Sequence, residues 1–193
     1  GACAHDYTGG AHVSVDADFV LQQQVPLPAL DAAMAEAGFR RHRDRYVHDR
    51  VPFFVEFPAG PLAIGADLDV RPVVRRRRGH AYLALSATDA CRDRLAAWYH
   101  WNDARSLRVA VRIATRHRVS MTLIRAWSVR EGAGDKFEVF RSRRRVEARI
   151  AHRLGGGAGD VRQRLAGSTR ACADSLATEQ PPVGVVDRDK DEV

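Results

Sequence analysis

Lysine is nearly absent from this chain. Only Lys136 and Lys190 occur, so 29 of the 31 basic residues are arginines. With abundant alanine, this bias is typical of a GC-rich genome, and codon usage explains the net charge of +7 more simply than a nucleic-acid partner does. The charge is compatible with a polyanionic partner without establishing one.

Cysteine and long apolar runs are also scarce. Cys3, Cys91 and Cys172 are odd in number and widely spaced, which argues against a disulfide framework or a zinc knuckle and favours a reducing cytoplasm. The eight histidines include no H-E-x-x-H or H-x-H pair, so a zinc enzyme has little support. No stretch approaches the length of a membrane span, and no charged segment followed by an apolar one opens the chain as in a signal peptide. The sequence therefore predicts a cytoplasmic protein without membrane contact.

The pattern of hydrophobic residues divides the chain into three parts. Residues 1–85 mix strand-like alternation with a short helix at 29–37, whereas residues 86–154 carry apolar residues at helical spacing. Residues 155–193 open with a glycine-rich break and end in a charged tail that we expect to be disordered. The predicted class is α+β, with a small mixed β-sheet core followed by a helical subdomain.

Several finer expectations follow within these parts. We expect Val15, Ala17 and Phe19 to point into the core from the first strand, and the basic run Arg75–Arg78 to separate the last two strands. Trp98 and Trp101 are expected to anchor the core between the two halves of the chain. The predicted strands are 13–21, 39–43, 45–48, 51–57, 69–74 and 81–85.

The most informative polar motif is the pair Asp16 and Asp18. Two carboxylates at alternate positions of a strand share one face and repel, so they need a cation nearby. A divalent metal with phosphate oxygens supplies that charge, and Glu56 in the apolar strand 51–57 offers a third carboxylate. A solvated strand face remains the alternative interpretation of such a motif, and we assign it to the second D-x-D, Asp67-Leu68-Asp69.

An acidic D-x-D strand following a helix, with a later acidic strand, resembles the polymerase-β-like nucleotidyltransferase superfamily. More specifically, the chain resembles a family of uncharacterised bacterial and archaeal nucleotidyltransferase-like proteins related to the toxins of abortive-infection and toxin–antitoxin systems. This resemblance runs from Gly1 to about Arg141. The segments that carry it are Tyr7-Thr8-Gly9-Gly10, residues 15–20, residues 54–63 and residues 85–103.

The resemblance implies transfer of a nucleotidyl group from a nucleoside triphosphate with Mg²⁺ or Mn²⁺. It places Asp16 and Asp18 at the metals with Glu56 as third carboxylate, although the superfamily more often has aspartate there. Gly1 would be the second glycine of the nucleotide-binding pair, with the core probably lacking its first strand. Arg92 would meet the triphosphate, the alternative being an ion pair with Asp89 or Asp93. The acceptor is left open among a tRNA end, a protein side chain and a small molecule, and an antitoxin-like partner is implied.

Two other functions remain open at this point. The chain is either a catalytically degenerate structural or interaction module, or a metal-independent ribonuclease of the HEPN type. The ribonuclease hypothesis rests on Arg94 and His100, because histidine works as an acid or base and arginine holds a phosphate. Six residues along a helix place these two side chains on different faces, so such a site requires a helix end or a dimer seam.

Overall fold

A computed structural model describes residues 2–174 of the chain, and the side chains of residues 2–154. Its described elements confirm the α+β class: helices and short strands alternate in the first half, and helices alone follow. The helices are α1 (Ala2–Tyr7), α2 (Leu27–Glu36), α3 (Ala87–Trp101), α4 (Ala104–Arg116), α5 (Met121–Arg130) and α6 (Gly134–Asp174). The strands are β1 (Asp16–Asp18), β2 (Arg40–His42), β3 (Arg45–Val47), β4 (Phe54–Glu56), β5 (Val73–Arg77) and β6 (His80–Ala84).

The first four strands form one small sheet in the order β1-β4-β3-β2. Strand β1 runs parallel to β4, while β4 with β3 and β3 with β2 are antiparallel. Ala17, Tyr46 and Val55 are buried beneath this sheet, and Leu30 and Met34 of α2 pack against them. The helix thus covers one face of the sheet and leaves the other face to polar side chains.

Strand β1 is shorter than the sequence predicted, and this corrects the expected burial of its flanks. Ala17 is 8% exposed, but Val15 and Phe19 are 61% and 51% exposed. These two residues lie just outside the three paired positions of β1. Alternation along a strand predicts burial only where the pleated ladder continues and something covers it.

Strands β5 and β6 form a separate two-stranded hairpin. The basic run belongs to β5 rather than to the connection, since Arg75 pairs with Tyr82 in the ladder. Only Arg78 and Gly79 make the turn, with φ angles of 49° and 83° that favour glycine. On one face of β5, Arg75 and Arg77 reach Asp6 of α1, at 3.0 and 3.5 Å.

The main hydrophobic core lies among α1, α3, α4, α5 and the first turns of α6. Leu95, Trp127 and Phe140 are fully buried in it. Trp98 is buried as predicted, but Trp101 is 77% exposed and anchors no core. The reason is that α3 ends at Trp101, where Asn102 turns the chain with a φ of 58°. The first helix, which the sequence placed in the β-containing part, therefore packs with the helical part.

Helix α6 extends further than expected. The sequence predicted a break at Gly155–Gly159, whereas the backbone is helical through Asp174. Mid-helix glycine costs about 1 kcal/mol relative to alanine without removing a backbone donor, so it weakens a helix without having to end it. Two compact units divide the chain, one through Ala148 and one from Arg149. The first unit contains both of the parts that were predicted as 1–85 and 86–154; residues 175–193 of the predicted tail lie outside the described residues.

Within residues 2–174, no helix combines the length and apolar character needed to cross a bilayer.

Candidate functional site

Parallel pairing of β1 with β4 brings the three predicted carboxylates to one face of the sheet. Asp18 lies directly opposite Glu56 in the register, and Ala17 lies opposite Val55. Because Ala17 and Val55 face the buried side, Asp16, Asp18 and Glu56 face the other side, which we call the carboxylate face. Paired strands lie about 4.8 Å apart, and alternate residues of one strand about 6.6 Å apart.

The backbone extends this pairing at both ends. The amide of Phe54 donates to the Val15 carbonyl at 3.0 Å, and the amide of Phe19 donates to the Glu56 carbonyl at 2.9 Å. These hydrogen bonds lie on either side of Asp16 and Asp18. They fix the register on which the shared face depends.

The two aspartates of β1 differ in their acidity. A hydrogen bond from the Ser14 hydroxyl to Oδ1 of Asp16 lowers the pKa of Asp16 below its ordinary value. Partial burial raises the pKa of Asp18, and the adjacent charge of Asp16 raises it further. Both groups are carboxylates at neutral pH, but Asp18 carries its charge at an electrostatic cost. An added cation would relieve that cost.

Two residues of α3 contribute to the electrostatics of the carboxylate face. Arg94 lowers the pKa of both aspartates, and Asp93 raises that of Asp18. Arg94 donates to Oδ2 of Asp93 from Nε and Nη2, at 2.9 and 2.7 Å. The sequence gave no sign that Arg94 acts on β1, because more than seventy positions separate them and only the tertiary fold brings them together.

Glu56 is engaged by an arginine of the neighbouring strand. Nη2 of Arg45 lies 3.6 Å from Oε1 of Glu56, and these residues are opposite each other in the β3–β4 register. The Arg45 guanidinium also covers the Phe54 ring at 4.3 Å from its centroid. Glu56 is therefore partly neutralised by the protein itself.

The fit of this face to a divalent metal is specific in one respect. Among the described residues, no three His, Cys, Asp or Glu side chains are grouped closely enough to hold a metal ion by themselves. The donor chemistry of Asp16 and Asp18 suits Mg²⁺, which binds one or two carboxylates together with substrate phosphates. The face thus fits a metal delivered with a phosphorylated ligand better than a permanently bound one.

Arg92 lies away from the carboxylate face in a buried ion-pair cluster. Its Nη1 donates to Oδ1 of Asp89 at 2.9 Å, its Nη2 donates to Asp67, and its guanidinium lies 5.0 Å from the Trp127 ring centroid. Only 2% of the side chain is exposed. These contacts correspond to the alternative ion-pair interpretation of Arg92. They favour a structural role over the predicted contact with a triphosphate.

Gly1, the other predicted nucleotide contact, lies outside the described residues. Gly9 and Gly10 adopt φ angles of 63° and 83° in the turn after α1, as their spacing from Asp16 led us to expect.

The two residues of the ribonuclease hypothesis have separate surroundings. Arg94 pairs with Asp93 and acts on β1, whereas Nε2 of His100 contacts Glu131 at 3.2 Å beyond the end of α5. Six residues along α3 separate them by about 9 Å and by more than half a turn. The fold brings them to no common site within the described part of one chain.

No family model, no curated protein and no solved structure matches this chain.

Proposed function

We propose that the protein is a nucleotidyltransferase-like enzyme whose carboxylate face binds a nucleoside triphosphate with Mg²⁺ or Mn²⁺. The observation that carries this proposal is the β1–β4 register, which gives Asp16, Asp18 and Glu56 a common face. Such a face, on the sheet side opposite the α2-covered core, suits phosphoryl-transfer chemistry, which depends mainly on positioning and charge neutralisation.

Each carboxylate has a distinct task in this proposal. Asp16, held ionised by Ser14, provides the constant negative ligand, and Asp18 adds a second one whose charge the bound cation stabilises. Glu56 accepts the proton of the attacking hydroxyl, and Arg45 holds it in place beforehand. When bound, the metal neutralises phosphate charge so that an acceptor oxygen can approach.

Arg94 takes the place at the triphosphate that the resemblance gave to Arg92. Its charge already acts on Asp16 and Asp18. An arginine fork suits phosphate oxygens because it donates two parallel hydrogen bonds. Exchange of the Asp93 partner for a phosphate keeps the guanidinium paired throughout.

The wider setting of the reaction follows the same resemblance. The acceptor is a tRNA end, a protein side chain or a small molecule, and the protein acts in the cytoplasm. A toxin-like activity would be held in check by an antitoxin-like partner.

The test is equilibrium binding of a nucleoside triphosphate with Mg²⁺ and with excess chelator. We expect binding only with metal, and weaker binding by Asp16→Asn, which removes a negative ligand but keeps its shape. The matched control is Asp69→Asn, because Asp69 belongs to the second D-x-D, which is exposed and pairs only with Arg71 among the described residues. Equal affinity with chelator, or an equal loss in Asp69→Asn, would contradict the proposal.

A degenerate module that binds without catalysis is the second candidate. It is favoured by the ion pair of Glu56 with Arg45, which occupies the proposed base. Metal-dependent nucleotide binding without any transfer to RNA, protein or water would support this second function. Removal of the arginine in Arg45→Gln would then leave the absence of transfer unchanged.

A further inference from the structure

A cavity of about 500 Å³ lies between residues 8–13 and helix α4. Its α4 wall carries Arg105, Arg108 and Arg112. Spacings of three and four residues put these side chains on one helical face, in a row about 10 Å long. We call this feature the arginine cleft.

The cleft is strongly positive. Within residues 2–154, Arg105, Arg108 and Arg112 make no salt bridge, and Glu147 is the acidic residue in the lining. His12 adds no charge at neutral pH, because burial lowers its pKa and the nearby Arg94 lowers it further. Three unpaired guanidiniums facing one carboxylate leave a surplus of positive charge that an anion would balance.

The walls of the cleft are held by contacts outside the arginine row. Nε2 of His117 lies 2.7 Å from the Tyr7 carbonyl, and Nη1 of Arg116 donates to the Thr8 carbonyl at 3.4 Å. Both contacts tie the end of α4 to the residues that lead into the other wall. The arginine row is therefore presented by a fixed wall rather than by a free loop.

A polar atom beside the cleft has no partner within the chain. Nε2 of His12 is buried and makes no hydrogen bond to the described residues. Buried polar groups are generally paired with protein or ordered water. An unpaired ring nitrogen in the lining is a second, independent sign that this cavity takes a polar ligand.

We propose that the arginine cleft binds the phosphate backbone of a single-stranded nucleic acid. A row of three guanidiniums spans more than one phosphate, and a cavity of about 500 Å³ takes a short stretch of strand. No Phe, Trp or Tyr lines the cleft, so it offers no stacking platform for bases. Recognition is thus through charge and carries no base sequence.

The cleft is separate from the carboxylate face, and its binding does not need the metal. His12 is nevertheless influenced by both Arg94 and Asp16, so the two sites are neighbours. Where the proposed transferase activity also holds, the bound strand is its acceptor, and this last step alone rests on that proposal.

The experiment measures fluorescence anisotropy of labelled oligouridylate and oligothymidylate of about 12 nucleotides. Chelator is present throughout, and salt varies from about 50 to about 200 mM. Three phosphate contacts predict a slope of log K against log salt of about −2, since each contact on a single strand contributes about −0.7. Binding of either RNA or DNA supports the proposal, and preference for RNA would add a 2′-hydroxyl contact.

Four variants make the assignment specific. Arg108→Gln should weaken binding about fivefold at 0.1 M salt and reduce the slope by about 0.7. Arg108→Lys, which keeps the charge, should restore the slope. Glu147→Gln should strengthen binding, an effect that a purely structural role does not predict. Arg125→Gln, an exposed arginine of α5 outside the lining, should change nothing.

Three outcomes would overturn the proposal. A slope near zero excludes phosphate contacts, and equal effects of Arg108→Gln and Arg125→Gln exclude the cleft. Loss confined to Arg76→Gln would place the nucleic acid on the β5–β6 hairpin instead. Asp16→Asn should not weaken binding in chelator, so failure of the transferase proposal and failure of this one are told apart.

Discussion

Replacement of Arg92 by methionine should destabilise the protein severely. Arg92 is 2% exposed, and its two partners, Asp67 and Asp89, are only 19% and 13% exposed. Removing the cation leaves both carboxylates in a poorly solvated place without it. Breaking a buried ion pair from one side typically costs about 3–5 kcal/mol, against about 0–1 kcal/mol for an exposed pair.

Urea unfolding at pH 7 measures this difference. Arg71→Met is the matched control, because Arg71 and Asp69 form an ion pair that is 89% and 79% exposed. Adding Asp67→Asn and Asp89→Asn to Arg92→Met should recover part of the loss. The recovery follows because most of the cost comes from the stranded charges and not from the missing contact.

The pH dependence has a definite sign. Burial alone would raise the pKa of Asp67, but the Asp69 amide and the charges of Arg92 and Arg130 outweigh it and lower the pKa. The stabilisation is therefore fully present above the ordinary aspartate pKa of about 3.9, and is lost as pH falls through the folded-state value. The gap between wild type and Arg92→Met should shrink in acid. A loss below about 1 kcal/mol at pH 7, or a gap that persists in acid, would refute the argument.

Two further predictions concern the carboxylate face and the chain end. Asp18→Asn should raise the free energy of unfolding at neutral pH by less than about 1 kcal/mol, because the raised pKa shows that folding disfavours its charge; the gain should vanish as pH falls through that pKa. Asp16→Asn should instead lower the free energy, because Ser14 stabilises the charged form, and equal signs in parallel urea titrations would contradict this. Removal of residues 155–193 should change the free energy by less than about 2 kcal/mol in calorimetry, since the main core cluster ends at Phe140, and a larger loss would show a packed element there.

Local pattern was enough to predict most of the elements. The hairpin of 39–48 appears as β2 and β3, and the helices after residue 86 lie within a few residues of their predicted bounds. These elements depend on periodicity and on turn residues close in sequence, which the sequence displays directly. The common face of Asp16 and Asp18 likewise follows from the alternation of a strand.

What the fold alone decided involves residues far apart in the chain. The pairing of β1 with β4, which puts Asp18 opposite Glu56, joins segments separated by an intervening helix and hairpin. Arg92 and Arg94 differ by two positions on α3, yet one is buried with Asp67 and the other acts on β1. A helix rotates by about 200° over two residues, so which of them meets which partner depends on how α3 is packed.

The arginine cleft shows the same division. The sequence determined that Arg105, Arg108 and Arg112 share one face of α4, but the chain has 29 arginines, and composition made all of them look alike. Only tertiary packing set this row against residues 8–13 to enclose a cavity. Spacing along a helix fixes which side chains are neighbours, whereas the surface they face depends on long-range packing that no local pattern encodes.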